Sequence, residues 1–488
     1  FMYNFNRGQY GKPSLVERQA PLGAQVGMWW LYFKWQWLRD VDGVRPGLQG
    51  SLAAIFLVLG ILGGWVHYKR DPRSFTFFGP LMFTLTLLLI YYMNFRYGYS
   101  QAPELGESVQ REVRDRDYFY LWSFSAWSVW AALGLVFVWE SFAAIIGSEK
   151  AKVGAETLEL PTNRSWAITS PILLLAVVPL FGNWTASTRH GETDTGDFAA
   201  DLLNSVEPYG ILVTVGDNDT FPLWYAKEVM GVRKDVVVAN TSLLNTDWYT
   251  RQLLRRPVYE YDVAKGPAVY RGRTWVKPSG PPMSITMDQA DSVPLGQDIT
   301  QPQLFVAGNI RAVVQPRFLS RADIFVLKMI QDSRGRSMYF SRTSGGYPFE
   351  LGLKDYVLTQ GLARKLLTDS IVGGRDTVMV QGEGWVDVPR MKALAGAFKS
   401  PGALERKNKW VDRASVGIPY LYVSTNYVLA EALNAQGDRA GADSALESAI
   451  RVAKATGLGD LFAGAAPPPP PPIVSGDSIR KTTVPIKP

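Results

Sequence analysis

Two carboxylates one residue apart, Asp217 and Asp219, stand in the run Gly216-Asp217-Asn218-Asp219-Thr220, directly after a β-branched stretch. Hard divalent cations favour oxygen ligands, so such a pair suits Mg²⁺ or Mn²⁺ holding a diphosphate. Asp-x-Asp is also the form found in nucleotide-sugar transferases. Asp and Asn are equally the residues of tight turns and helix N-caps, and helical spacing resumes at Thr220. Capping is therefore the competing reading, and neither a metal nor a cofactor is assigned. Asn245, Asp247 and Trp248 follow the next strand-like run and are expected to face the same crevice as Asp217, with a cap again open to Asp247.

A second cluster is Glu112-Val113-Arg114-Asp115-Arg116-Asp117-Tyr118-Phe119-Tyr120, which runs straight into an apolar stretch. Arginines and acids at a membrane boundary are costly unless paired or anchored to headgroups. Arg114 or Arg116 is suited to grip the phosphate of a lipid-linked donor in bidentate fashion. The alternative is a self-paired helix start that fixes the depth of a span. The chain has no cysteine and two histidines, His67 and His190. That removes disulfides, Cys/His zinc sites, Cys nucleophiles and most His-based triads. His190 lies near Glu192 and Asp194 and receives no role; Trp385 with Asp387 reads as a packing anchor in a turn.

The elements that must position these residues fall into two unlike halves. Of 488 residues, 47% are hydrophobic and 19% charged, ample for a sizeable core. The net charge of +7 is spread along the chain, so no nucleic-acid partner is expected. Residues 48–66, 75–95, 121–139 and 166–184 are uncharged, and roughly 20 helical residues cross a hydrocarbon core. Trp65, Tyr91, Tyr92, Trp122, Trp139, Trp166 and Trp184 gather at their ends, as in interfacial aromatic belts. We read residues 48–184 as four transmembrane helices and residues 1–47 as an interfacial amphipathic segment centred on the aromatic run 29–38, with a helix buried against the spans as the alternative. Three basic residues in 67–73 place that turn in the cytoplasm by the positive-inside rule, which puts everything after Trp184 outside.

Residues 185–400 read as an extracytoplasmic α/β domain. Helical spacing over 196–206, a strand over 210–215, a helix over 220–230 and a strand over 235–239 make a βαβ unit with a parallel pair. Helical spacing resumes over 247–255, residues 258–302 read as loops with a short hairpin, and further strands and helices follow between 304 and 367. Ligands of open parallel sheets bind beyond the strand carboxyl ends, where Asp217 stands. Residues 401–461 form a tetratricopeptide-like helical region, with Leu429, Ala430, Leu433, Gly437, Ala442, Leu446 and Ala449 at the matching offsets, or else an ordinary helical hairpin; either must pack on the α/β domain or on a protein partner. Residues 462–488, with prolines at 467–472, read as a disordered tail.

The segment 112–120, the run Gly216-Asp217-Asn218-Asp219-Thr220-Phe221-Pro222-Leu223-Trp224-Tyr225 and Ser242-Leu243-Leu244-Asn245-Thr246-Asp247-Trp248-Tyr249 resemble a bacterial family of polytopic proteins, formerly a domain of unknown function, similar to the eukaryotic transmembrane protein O-mannosyltransferase. The resemblance covers most of residues 1–450. It implies the end of a C-type glycosyltransferase membrane domain in the bacterial inner membrane, followed by a periplasmic α/β domain and tail. The implied activity moves a sugar from a polyprenyl-phosphate donor to an extracytoplasmic hydroxyl on a protein or glycan acceptor. The family's catalytic acid lies in an early outside loop, expected upstream of Phe1, so no catalytic residue is carried over. Two other readings stand beside it: a membrane-anchored scaffold in which Asp217 and Asp219 are caps, and a metal-dependent nucleotide-sugar transferase centred on them.

Overall fold

Apolar runs free of charge satisfy their backbone only by coiling on themselves, and that is how this chain begins. A computed structural model describes residues 13–38, 46–153, 156–332, 335–408 and 416–459. The chain divides into two units, Phe1–His190 and Gly191–Pro488.

The first unit holds α1 (Leu22–Lys34), α2 (Pro46–Arg70), α3 (Pro72–Phe83), α4 (Leu121–Ile146), the strands β1 (Ser148–Val153) and β2 (Glu156–Pro161), and α5 (Asn163–Thr169). Four helical stretches, Gly47–Arg70, Pro72–Met93, Asp117–Ile146 and Asn163–Gly182, are long and apolar enough to cross a membrane. They coincide with the four runs read from the sequence. Their prolines leave local marks. After Pro80 the helix widens into a π turn at Thr84–Leu88, where the Thr84 and Thr86 hydroxyls donate to the carbonyls of Pro80 and Met82 at 2.9 and 2.6 Å. Around Pro171 the backbone tightens to a 3-10 segment, Ser170–Val177. The segment between the last two spans is a β1–β2 antiparallel hairpin pairing Ser148 with Pro161.

Most of the aromatic segment before the first span lies in α1, where Trp29, Tyr32 and Phe33 are buried and Trp30 is half-buried. Met28, Trp29, Tyr32 and Phe33 pack in one cluster with Phe56 of α2 and Tyr120 and Phe124 at the start of α4, and the Trp29 indole donates to Ser123 at 3.0 Å. Residues 1–12 and 39–45 of the expected interfacial segment lie outside the described residues.

The second unit is built on a seven-stranded mixed sheet. In chain order its elements are α6 (Asp194–Asn204), β3 (Ile211–Thr214), α7 (Asp217–Glu228), β4 (Val237–Asn240), α8 (Asp247–Arg255), β5 (Gly296–Ile299), β6 (Gln303–Ala307), β7 (Ile310–Val314), β8 (Arg317–Ser320), α9 (Arg321–Asp332), β9 (Met338–Ser341), β10 (Val357–Gln360), β11 (Ala363–Leu366), β12 (Thr377–Val380), β13 (Gly384–Asp387), α10 (Val388–Ala395), α11 (Ser400–Lys407), α12 (Gly417–Ala435) and α13 (Arg439–Ala455). The sheet runs β12-β13-β10-β11-β9-β3-β4. β3 pairs in parallel with β4 and with β9, so the expected βαβ unit is present.

Alternation along β3 distributes its side chains. Ile211 and Val213 enter a core with Tyr249 of α8 and Phe325 and Met329 of α9. Leu212 enters the core on the other face, with Phe198 and Leu202 of α6, Leu223 of α7 and Tyr422 of α12. β5 pairs with β8, and β6 with β7, as two separate antiparallel pairs. The hairpin expected within 258–302 thus falls just after it. The helices expected in the tail are α12 and α13, joined through Gly437 at φ +83°. The Pro-rich tail at 462–488 lies outside the described residues.

Candidate functional site

The Asp-x-Asp run sits where the sequence places it, between the end of β3 and the first turn of α7, but its two acids face different surroundings. Asp217 and Asn218 are exposed, whereas Asp219 is buried. The Asp219 Oδ1 accepts the Gly216 amide at 3.2 Å and the Thr220 hydroxyl at 3.3 Å, and its Oδ2 accepts the Thr343 hydroxyl at 2.6 Å. Both oxygens are therefore engaged, one capping α7 and the other tying it to the turn after β9. Burial pushes its carboxyl above the usual range, opposed by these hydrogen bonds.

Behind Asp219 lies a polar joint the sequence reading missed. The Asn240 amide donates to Thr220 at 2.8 Å and to the Gly216 carbonyl at 3.2 Å, and its oxygen accepts the Leu243 amide at 2.8 Å. Thr214 and Thr220 share a hydrogen bond of 2.7 Å. An Asn closing the apolar run Val236-Val237-Val238-Ala239 is the signal that points to this joint. Asn245 and Asp247 have partners of their own: Asn245 Oδ1 accepts the Ala322 amide at 3.1 Å, and Asp247 pairs with the buried Arg321. They lock the segment after β4 onto the start of α9. Among the described residues no group of three or more His, Asp or Glu side chains stands together as metal ligands.

Exposed rings also stand on these elements; Trp248 was named from the sequence, whereas Phe221 and Tyr225 were not singled out. Phe221 and Tyr225 of α7 and Trp248 of α8 are each about half exposed, at 49%, 51% and 54%. Phe221 and Tyr225 follow Asp217 at spacings of four, which places all three on one helix face. Trp224 links Phe221 to Tyr249, with centroids 5.3 and 6.2 Å away.

In the first unit the charged cluster is mostly self-paired. Arg116 makes an ion pair with the buried Glu112 at 3.2 Å, donates to the Tyr118 hydroxyl at 2.9 Å, and its amide donates to the Tyr32 hydroxyl at 3.0 Å. Asp115 accepts the Ser100 hydroxyl at 2.6 Å and the Tyr32 hydroxyl at 3.2 Å. Arg114 differs. Its guanidinium lies 3.3 Å from the Tyr118 hydroxyl and 5.5 Å from that ring's centroid, and among the described residues no carboxylate pairs with it. The cluster thus offers one partly exposed cation on a framework held by the other charges.

The class these features define is a chain of four apolar, span-length helices followed by a mixed-sheet α/β unit with a helical hairpin. Residues 195–265, which hold α6 through α8 and the Asp-x-Asp run, match the family model described as TMEM260-associated domain 2. No curated protein and no solved structure matches the chain.

Proposed function

We propose that the chain is the C-terminal part of an integral-membrane, O-mannosyltransferase-like enzyme that moves a sugar from a polyprenyl-phosphate donor to a hydroxyl outside the cytoplasm. The supporting observation is the joining, in one chain, of four apolar helices to a domain named for TMEM260, itself related to O-mannosyltransferases. In this reading the first unit lies in a bacterial inner membrane and the second faces the periplasm, with α12–α13 as a tetratricopeptide-like platform for a partner. An Asp or Glu in an outside loop preceding Phe1 takes the proton of the acceptor hydroxyl, whose oxygen forms a bond to the anomeric carbon. The bond from that carbon to the phosphate oxygen breaks, and polyprenyl phosphate leaves with its charge held by a cation. Arg114 supplies that cation, and Arg116, itself held by Glu112, positions it through their shared Tyr118 hydroxyl.

Vesicles containing the full-length protein test the donor. Label from polyprenyl-phosphate mannose or glucose is expected to reach a protein or glycan acceptor without added metal. Transfer instead from a sugar nucleotide, dependent on Mn²⁺ and lost in Asp217→Asn, would overturn the reading. The capping role of Asp219 favours one alternative, a membrane-anchored binding protein; absence of transfer from either donor is its signature.

A further inference from the structure

In the β6–β7 hairpin a two-residue turn, Gly308-Asn309, separates the paired residues Ala307 and Ile310. Such a turn makes its flanking pair mutually hydrogen-bonded, and bonded pairs then alternate along the ladder. Phe305 with Ala312 and Gln303 with Val314 are therefore bonded, while Leu304 and Val306 on β6, and Arg311 and Val313 on β7, turn their N–H and C=O groups outward.

The two outer edges are treated differently. On β7 the Tyr356 hydroxyl accepts the Arg311 amide at 3.0 Å and lies 3.4 Å from its carbonyl, and a Cβ on Gly352 would stand 2.5 Å from the Val313 carbonyl oxygen. That edge is closed. On β6, among the described residues, the one partner is the Gln331 amide, at a long 3.4 Å from the Val306 carbonyl. Unpaired strand-edge groups are a template for a further strand.

Beside this open edge lies a cleft of about 310 Å³, walled by Leu304, Phe305, Ile299, Leu319 and Phe325. That is the lower end of ligand-site volumes. Its cation, Lys328, is neutralised by Asp332 at 3.0 Å, and its other polar lining groups are the amides of glutamines. Leu304, Val306 and the cross-strand Val313 form an apolar face, 62%, 41% and 45% exposed. An open main-chain edge asks for a main chain, and a cleft without net charge asks for uncharged side chains.

We propose that β6 is a strand-addition site for an extended, uncharged polypeptide segment whose alternate apolar side chains enter the cleft. Naming that segment as the acceptor rests on the transferase reading; the site itself rests on the edge and the cleft. The test uses the full-length protein in nanodiscs, without sugar donor, and a capped, fluorescein-labelled octapeptide of alternating Thr and Val. Saturable binding is expected, at least tenfold weaker for the same peptide N-methylated at every residue and for Leu304→Pro. Proline there removes an outward N–H and spares the ladder, so the variant should keep the parent Tm. Equal binding by the methylated peptide, no binding by either, or a dimer dissociated by Leu304→Pro would overturn the site. Binding followed by no transfer to the bound peptide once a polyprenyl-phosphate sugar is added would leave the site standing and remove only its assignment to the acceptor.

Discussion

In the Phe1–His190 unit the closest approaches are between glycines and backbone: a Cβ on Gly63 would stand 1.7 Å from the Trp130 carbonyl oxygen, and one on Gly134 2.0 Å from that of Leu59. In the Gly191–Pro488 unit the comparable centre is ionic. Glu383 accepts from Arg342 at 2.8 Å, from Arg364 at 2.9 Å and from Thr359 at 3.0 Å, all buried. The contrast follows from the surroundings each unit was built for. Helices in hydrocarbon gain nothing from hiding apolar side chains from lipid, so they associate by bringing backbones together at small residues. The second unit has apolar cores on both sheet faces, and its buried charges knit β9, β11 and α12 at defined positions.

The largest break of this comparison is expected at the glycines. Gly63→Ala drives a Cβ into the Trp130 carbonyl and forces α2 and α4 apart, seen as loss of a folded detergent-solubilised protein, while an alanine at the half-buried Gly50, whose Cβ position is open, is silent. Glu383→Gln comes next, at about 3–5 kcal/mol, because two buried arginines lose their counter-charge. Burial pushes the Glu383 carboxyl up, but Arg342 and Arg364 outweigh it and hold it at about 2, below the ordinary 4.5. A depressed carboxylate stabilises the fold above its unfolded pKa and loses that contribution as pH falls through the folded one. Acid melting should therefore steepen between pH 4.5 and about 2, and Glu383→Gln should flatten it. The smallest effect separates the paired acids: Asp219→Ala should cost about 1–2 kcal/mol as a lost cap, and Asp217→Ala less than about 0.5 kcal/mol, by chemical denaturation.

How much of this was legible beforehand differs between the units for the same physical reason. Membrane spans announce themselves by length and lack of charge, so all four were readable, prolines included. The Asp-x-Asp run was placed correctly at a strand end, because β-branched residues followed by Gly and Asp mark that junction. What the sequence left open is which way each acid turns. Asp219 faces inward because Thr343, over a hundred positions away, supplies a hydroxyl at 2.6 Å, and no local pattern encodes that. The partners of Asn245 and Asp247, the Ala322 amide and Arg321, come from a helix over seventy positions away, which no local pattern encodes either. The open edge of β6 was likewise invisible, since strand pairing is a tertiary fact.

In the proposed transferase, chemistry belongs to the membrane-edge cation and not to the Asp-x-Asp run. That division is tested most directly by the rate of sugar transfer from polyprenyl-phosphate donor in Arg114→Ala and Asp217→Ala, made side by side in the full-length protein. The account predicts a loss of about a hundredfold or more for Arg114→Ala, the scale of one removed charge-stabilising donor, and a near-parental rate for Asp217→Ala. Retained activity in Arg114→Ala with loss in Asp217→Ala would contradict it.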